Sequence, residues 1–308
     1  MKVRYSYLPQ QFSDCEDLWQ ELRDFVVTGD FTLGEPLTKF EESFAKLIGT
    51  KYAIGVNSGT DAIKLSLKAL NIGPGDEVIT VANTFVATVG AICELGATPV
   101  FVDCDDTFCM NVKLVEEKIT KNTKAIIPMH YAGVGCEMDS IMKIAKQYHI
   151  PVIEDNAHGL FGKYNDKYLG SFATFATQSF HETKNFSCGE GGALLINDKN
   201  YIERAEIIRE KGTNRTKFFR GEIDKYTWVD IGSSFLPSDI LAAFLFAQLE
   251  KRELIQAKRK MIWDHYFANL ENWAHENGIR LPVVPEHCEQ SYHMFYLIMP
   301  TPEKRTAF

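Results

Sequence analysis

Lys184 stands in the part of the sequence whose residue types best suit chemistry. It lies between an apolar run, 173–180, and a glycine cluster, 189–192, that leads into a second apolar run at 193–197. This order predicts a turn held by two strands, where an amine nucleophile could meet a substrate. Because most lysines are merely solvated at the surface, the interpretation depends on which other groups the fold brings to the turn.

Ser58, Gly59 and Thr60 are candidates for an anion site, because they stand between a strand and a helix. Such a junction offers backbone N–H groups, hydroxyls and the positive end of a helix dipole to a phosphate. The same residue types are also common as ordinary caps and turns. Ser179, five residues before Lys184, could add a further hydroxyl.

Asp155 follows a buried strand, and its carboxylate could keep a pyridine nitrogen protonated. Glu154 could fill the same position, and either carboxylate could instead be a structural cap or ion pair. Phe85 would cover one face of a cofactor ring and Ala157 the other. His158 could bond a ring hydroxyl or only satisfy a loop carbonyl.

An amine, a phosphate anchor, a stacking aromatic ring and a carboxylate together are what a pyridoxal phosphate site requires. In such a site Lys184 would form the Schiff base and then act as the general base that moves the substrate proton. Lys184 and Asp155 are therefore the predicted catalytic residues.

Alternating strand and helix patterns predict the elements that would position these residues. The predicted strands are 52–56, 77–81, 98–102, 123–129 and 151–154, and the predicted helices between them are 61–70, 84–95, 112–119 and 138–148. Alternation of this kind indicates a mostly parallel sheet covered by helices on both faces. Ligands in that architecture gather beyond the carboxyl ends of the strands, where Ser58, Phe85, His130 and Asp155 all fall.

The flanking segments complete the predicted architecture. Helices are expected at 14–27, with Ser13 as N-cap, and at 36–48, 199–210 and 237–250, the last continuing to about 272. Segments 278–284 and 292–299 are predicted strands of a small second domain. We expect a large domain over 1–245 and a small α+β domain over 246–308 that is incomplete.

Composition narrows the class of protein. The chain has 308 residues, 45% of them hydrophobic, and a formal net charge of −8, which argues against nucleic acid or an anionic membrane as partner. Seven cysteines without a CxxC pair indicate neither a disulfide framework nor a zinc site. With no signal peptide and no apolar run of about 18 residues, a cytoplasmic location is expected.

Two loops could contact a substrate. Between 211 and 220 stand four cations and no carboxylate, and Arg215 and Arg220 could each bond two oxygens of a diphosphate. A solvated basic loop is the equally weighted alternative. The glycine-rich loop 29–34 offers Asp30, Phe31 and Thr32, although a plain connector fits it as well.

Several motifs in one order resemble the DegT/DnrJ/EryC1/StrS sugar aminotransferases. The motifs are SGTDA at 58–62, GPGDEVI at 73–79, NTF at 83–85, GATPVFVD at 96–103, ED at 154–155, SF at 179–180, KN at 184–185 and GEGG at 189–192. Within the family, HETKN at 181–185 and REKGTNR at 209–215 are most similar to the transaminases that form dTDP-4-amino-4,6-dideoxygalactose.

The resemblance implies a type I pyridoxal-phosphate fold, like that of aspartate aminotransferase, and a homodimer with shared active sites. It implies Lys184 as the Schiff-base lysine, Asp155 at the pyridine nitrogen, Phe85 on the ring and Gly59, Thr60 and Ser179 at the phosphate, with Ser58, Ala157, His158 and Ser234 nearby. His181 and Asn185 join the arginines as implied substrate contacts. The implied reaction moves an amino group from glutamate to C4 of dTDP-4-keto-6-deoxyglucose.

The chain departs from many family members at His158, where Gln is frequent, and at Ser234, where Asn is frequent. A keto-sugar aminated at another carbon is one alternative function, and a non-catalytic binding protein is another. Sugar 3-dehydrases of the same fold carry a histidine in place of the lysine, and Lys184 argues against that class.

Overall fold

The computed structural model describes residues 12–13, 15–29 and 31–308. The strands are β1 (Tyr52–Val56), β2 (Glu77–Val81), β3 (Thr98–Val102), β4 (Thr123–Ile127), β5 (Ile153–Asp155), β6 (Lys163–Tyr164), β7 (Lys167–Tyr168), β8 (Phe175–Ser179), β9 (Gly192–Ile196) and β10 (Cys288–Glu289). The α-helices are α1 (Glu16–Val26), α2 (Glu35–Ile48), α3 (Gly59–Ala69), α4 (Val86–Glu94), α5 (Met138–Tyr148), α6 (Ile202–Arg209), α7 (Arg215–Phe219), α8 (Asp239–Glu250), α9 (Arg252–Glu276) and α10 (Pro302–Ala307).

The central sheet has the strand order β1-β9-β8-β5-β4-β2-β3. Two ladders, β1-β9-β8-β5 and β3-β2-β4, are joined by parallel bridges from Ile126 to Val152 and from Met129 to Asp155. Within this sheet β9 runs antiparallel to both of its neighbours, and the other paired strands are parallel. The mostly parallel sheet that the alternation predicts is therefore confirmed. Small strands β6, β7 and β10 form a separate sheet.

Strand β9 shows how the core covers both faces of the sheet. Leu194 and Ile196 pack in one apolar cluster with α3, whereas Ala193 and Leu195 pack in another with α2 and α8. Successive side chains of a strand point to opposite faces, so a strand covered on both sides is expected to be largely apolar, as β9 is. All five residues of β9 are buried, as are all five of β8.

The start of α2 depends on a distant side chain. Its N-cap is Gly34, which has no side-chain oxygen, and buried Asp239 at the start of α8 accepts hydrogen bonds from the N–H groups of Gly34 at 3.1 Å and Leu37 at 2.9 Å. A carboxylate at a helix N-terminus satisfies free N–H groups and interacts favourably with the dipole. Asp239 thereby ties two helices of the same apolar cluster together.

Some predicted elements are wrong. Segment 112–119 forms two short 3₁₀ turns, Val112–Leu114 and Glu116–Lys118, because Asn111 and a second local turn satisfy the backbone there. In place of strands at 278–284 and 292–299 there is one isolated antiparallel bridge, between Arg280 and Ile298. The N-cap of α1 is Cys15, not Ser13, and it makes no side-chain cap bond.

The basic stretch 211–220, treated above as a loop, contains the short helix α7. None of the helices in the described part of the chain is long and apolar enough to cross a membrane. Those same residues contain no group of three or more His, Cys, Asp or Glu side chains arranged to hold a metal ion.

Candidate active site

The chemically interesting residues gather at one edge of the sheet. Ser58 follows β1, Phe85 follows β2, and Asp155 ends β5, and these strands run in one direction. Lys184 lies in the connection between β8 and β9, which leaves the sheet at that same edge. The carboxyl ends of parallel strands form the usual ligand crevice of such folds.

The Asp155 carboxylate is buried, with 3% of the residue exposed, and each of its oxygens accepts a hydrogen bond. Its Oδ2 accepts a hydrogen bond from the Thr88 hydroxyl at 2.8 Å, and its Oδ1 accepts one from the Ala157 N–H at 3.2 Å. The Thr84 hydroxyl donates in turn to the Thr88 hydroxyl, at 2.9 Å. Thr88 fixes the carboxylate, and the sequence did not predict this role, because a hydroxyl inside a helix carries no distinctive pattern.

Glu154 and Asp155, which the sequence left as alternatives, have separate roles. Glu154 is fully buried and accepts hydrogen bonds from the backbone N–H groups of Gly170, Phe172 and Ala173 at 2.7–2.9 Å. Its Oε2 also lies 3.1 Å from Nε2 of His130. Glu154 therefore holds the loop 170–173 against β5. Asp155 is the carboxylate that remains for the site at the carboxyl ends of the strands.

Lys184 lies half-buried in a turn, where its backbone N–H donates to the carbonyl of His181 at 2.9 Å. Burial lowers the pKa of its amine, and the negative charge of Asp155 opposes that shift. Burial disfavours the charged form of a lysine, so the neutral, nucleophilic amine is easier to reach. A half-buried lysine amine that interacts electrostatically with a fixed carboxylate is the central feature of this end of the sheet.

The junction of β1 and α3 forms a tight cradle. Ser58 caps α3 by accepting a hydrogen bond from the Asp61 N–H at 3.0 Å. A Cβ placed on Gly59 would come within 2.8 Å of Cβ of Ser179, and one on Gly192 within 2.4 Å of the Ser58 carbonyl. Close approach of three backbone segments explains the glycines. The first turn of α3, whose N–H groups have no partner within the helix, lies against Ser179.

Two aromatic residues at this end of the sheet differ in exposure and in contacts. Phe85, at the N-cap of α4, exposes 68% of its surface although phenylalanine is normally buried. The ring of His158 is stacked on that of His293, with centroids 4.2 Å apart. Burial, with a smaller contribution from Lys184, lowers the pKa of His158 to about 3, so the ring is neutral. Its Nδ1 is buried without a hydrogen-bond partner among the described residues.

Comparison with known proteins decides the family. The profile of the DegT/DnrJ/EryC1/StrS aminotransferase family matches residues 13–308. The chain belongs to this aminotransferase family. It is also 39% identical, over 96% of its length and 78% of the relative's, to the uncharacterized protein MJ1066 of Methanocaldococcus jannaschii.

Solved structures agree with the family. DesV of S. venezuelae, in complex with a ketimine intermediate, has a TM-score of 0.89 at 30% identity, covering 98% of this chain and 79% of DesV. Spr1654 of Streptococcus pneumoniae, a proposed sugar aminotransferase, in its PLP form, has a TM-score of 0.85 at 29% identity, covering 95% and 78%. A 3-amino-5-hydroxybenzoic acid synthase has a TM-score of 0.87 at 27% identity, covering 99% and 78%. The fold is the type I fold of pyridoxal-phosphate enzymes, and the family uses that cofactor.

The residues of this DegT/DnrJ/EryC1/StrS member fit pyridoxal phosphate. The glycine cradle at α3 suits a phosphate, the exposed Phe85 ring offers a stacking face, and the fixed Asp155 carboxylate suits a ring nitrogen. The unpartnered Nδ1 of His158 is a buried polar atom that a ligand group could satisfy. A lysine with a lowered pKa suits the aldehyde.

The basic loop does not present free cations. Each one pairs with a carboxylate, and the pairs are Lys211 and Arg215 with Glu210, Lys217 with Glu203, and Arg220 with Glu206 and Glu222. Arg220 bonds both oxygens of Glu206, at 2.8 and 2.9 Å, so its fork is filled. Arg215 and Arg220 thus already have carboxylate partners, from Glu206 of α6 and from Glu210 and Glu222 on either side of the loop, and their diphosphate contact stays a prediction.

Of the other expected substrate contacts, Asn185 is buried and bonds to Ser291, Gln256 and His293, so it faces the protein. His181 stays partly exposed, with its Nδ1 3.1 Å from the Thr183 hydroxyl. In the loop at 29–34, the carbonyl of Phe31 accepts a hydrogen bond from the N–H of Asp239. Thr32 is exposed, and Asp30 lies outside the described residues. Exposed Ser234 accepts a bond from Asn57 through its carbonyl, at 2.9 Å.

Proposed function

We propose that this protein moves an amino group from glutamate to a nucleotide-linked keto-deoxysugar, with C4 of dTDP-4-keto-6-deoxyglucose as the preferred acceptor position. The observation that carries the proposal is the half-buried Lys184 amine beside the fixed Asp155 carboxylate at the carboxyl edge of the sheet. The sugar and its carbon rest on the motifs at 181–185 and 209–215, which resemble those of C4 transaminases. The product would serve the synthesis of a surface polysaccharide.

Pyridoxal phosphate, when bound, supplies an aldehyde that accepts amines and a pyridinium ring that stores the electrons of a carbanion. Lys184 is the proposed Schiff-base lysine and the base that moves the proton of the amine-bearing carbon. Asp155, oriented by Thr88, would hold the proton on the ring nitrogen. His158 would bond the ring hydroxyl through Nδ1, and Phe85 and Ala157 would hold the ring between them.

Phosphate binding is proposed for the cradle. Gly59 and Thr60 would donate backbone N–H groups, and the hydroxyls of Ser58, Thr60 and Ser179 would surround the remaining oxygens. His181, at the outer end of the lysine turn, and Phe31 and Thr32 in the neighbouring loop remain candidates for the sugar nucleotide.

A homodimer with shared active sites completes the proposal. Exposed apolar side chains cluster in the segment 218–231, where Trp228 and Ile231 expose 75% and 73% of their surfaces. Contiguous exposed apolar residues often mark an interface between proteins. Ser234 follows this segment directly, so a partner docked on it could receive Ser234 at its own phosphate site.

The test is amino transfer to a panel of keto-sugar nucleotides. Protein loaded with pyridoxal phosphate is incubated with glutamate and either dTDP-4-keto-6-deoxyglucose or a 3-keto analogue, and 2-oxoglutarate and amino sugar are measured. Amination of the 4-keto compound, abolished by Lys184→Ala, is the expected result. Faster turnover of the 3-keto compound would move the proposal to C3, and cofactor binding without any amino transfer would indicate a non-catalytic binding protein.

A further inference from the structure

Residues 291–293, which we call the clasp, join two parts of the active site that are far apart in sequence. The Ser291 hydroxyl donates to the carbonyl of His158, and the Ser291 carbonyl accepts from Nδ2 of Asn185 at 2.7 Å. The ring of His293 stacks on that of His158, and its Nδ1 lies 3.0 Å from Oδ1 of Asn185. The clasp therefore contacts both the residue after the lysine and the loop after β5.

The hydrogen bonds fix which nitrogen of His293 carries a proton. Because the Ser291 carbonyl can only accept, the amide nitrogen of Asn185 must face it, and Oδ1 of Asn185 must face His293. Nδ1 of His293 is then the donor. Burial and the nearby His158, Lys184 and Arg259 lower the pKa of His293 well below its ordinary value, so the ring is neutral and its Nε2 is unprotonated.

Gly133 shows how closely the clasp is seated. The N–H of Ser291 bonds to the carbonyl of Gly133 at 3.1 Å, and a Cβ on Gly133 would come within 3.0 Å of the His158 carbonyl. A backbone held this tightly leaves the His293 ring little freedom to leave His158. The position of the His158 ring, and with it the direction of its unpartnered Nδ1, depends on this stack.

We propose that His293 is a positioning residue, which orients the His158 imidazole toward the cofactor and steadies the turn that carries Lys184. The proposal rests on the cofactor contact proposed for His158, but not on the identity of the sugar. A ring that orients a ligating group commonly affects affinity without touching the ligand itself.

Two variants separate the two contacts of His293. His293→Phe keeps a flat ring for stacking and removes the hydrogen bond, whereas His293→Asn keeps a donor near the Nδ1 position and removes the stack. His265→Phe, at an exposed position on α9, is the matched control. The measurements are the dissociation constant of pyridoxal phosphate, the absorption spectrum of the bound cofactor and its pH dependence, the thermal unfolding midpoint and kcat.

We expect each His293 variant to weaken cofactor binding about tenfold, which corresponds to about 1.4 kcal/mol, and to shift the spectrum while the unfolding midpoint stays near that of the control. Nitrogen NMR of the parent protein should show His293 neutral with its proton on Nδ1. Cofactor affinity and spectrum like those of the parent in both variants, or a proton on Nε2, would overturn the proposal. Neither the cofactor affinity nor the spectrum needs a sugar, so a failure of amino transfer to the keto-sugar nucleotides would leave this inference intact.

Discussion

At the scale of single residues, the site depends on groups whose ordinary protonation is changed by burial. Lys184 has a lowered pKa because it is partly removed from water, and Asp155 opposes that shift while remaining fixed by Thr88. Each unit of pKa shift corresponds to about 1.4 kcal/mol between two protonation states. Placing an amine next to a carboxylate therefore sets how much of the amine is free to react.

Cofactor attachment tests the assignment of Lys184. We expect borohydride treatment of protein loaded with pyridoxal phosphate to fix the label on the peptide that contains Lys184, because its amine has a lowered pKa and its turn follows Ser179, which contacts the glycine cradle. Peptide mass spectrometry locates the label, and Lys184→Ala is the control that should lose it. A label on another lysine would contradict the assignment.

Replacing Asp155 tests the ring-nitrogen contact. Asp155→Asn keeps the shape of the side chain and its Thr88 contact but removes the charge, so a pyridine would lose the proton that makes it an electron sink. We expect kcat to fall by about 100-fold or more, with cofactor still bound. Steady-state kinetics at saturating cofactor measure this, and kcat near that of the parent would show that the carboxylate is structural.

The lowered pKa of His158 predicts how the stability of the protein depends on pH. Its pKa is about 3 in the folded protein against 6.5 ordinarily, so below pH 6.5 the unfolded chain takes up a proton that the folded chain refuses. The free energy of unfolding of the cofactor-free protein should therefore fall as the pH falls, by about 2 kcal/mol between pH 7 and pH 5 from this group. Urea unfolding at both values should show a smaller loss for His158→Gln, and equal losses would refute the buried, neutral ring.

At the scale of elements, packing decides what a local pattern leaves open. Strands β2 and β3 and helix α5 match their predicted bounds because an apolar run or stripe specifies them almost alone. Segment 112–119 was predicted as one helix from its apolar residues, but two 3₁₀ turns replace it. The spacing of the apolar residues matches a helix, but it does not show the local hydrogen bonds, such as the one from Lys113 to Asn111, that divide the segment into two turns.

The placement of Ser58, Phe85 and Asp155 at one end of the sheet was predictable, because each stands at or just after the carboxyl end of a strand that an apolar run identifies. A role was not predictable where it depends on distant partners. Thr88 and His293 have no local signal, since one is a hydroxyl inside a helix and the other lies 108 residues from its Asn185 partner. The ion pairs of Arg220 were likewise not predictable from the basic stretch, because the glutamates that pair with it lie outside that stretch.

Asp239 provides a prediction for the element scale. Asp239→Ala removes the acceptor for the N–H groups of Gly34 and Leu37 and leaves the start of α2 unsatisfied. We expect a loss of about 2 kcal/mol in the free energy of unfolding. Urea denaturation checks the value, with Asp264→Ala as the control, because Asp264 forms only an exposed ion pair with Lys260. Equal stability of the two variants would show that Asp239 does not stabilise α2.

At the scale of the whole molecule, the exposed apolar segment 218–231 predicts the oligomeric state. Ile231→Glu places a charge on a side chain that is 73% exposed, so the folded monomer should tolerate it, whereas a dimer interface should not. We expect sedimentation to show a dimer for the parent and a monomer for the variant. Ile262→Glu, at an exposed position on α9, is the control. A monomeric parent protein would contradict the shared-site proposal.

The clasp also affects when the active site can form while the chain is being synthesised. Asn185 and Ser291 are 106 residues apart, a distance that a ribosome covers in roughly 5–20 s. During that interval the β8–β9 connection that carries Lys184 has left the ribosome, whereas residues 291–293 have not yet been synthesised. A nascent chain would thus carry a lysine open to any aldehyde in its surroundings, so productive loading of the cofactor belongs after translation has passed residue 293.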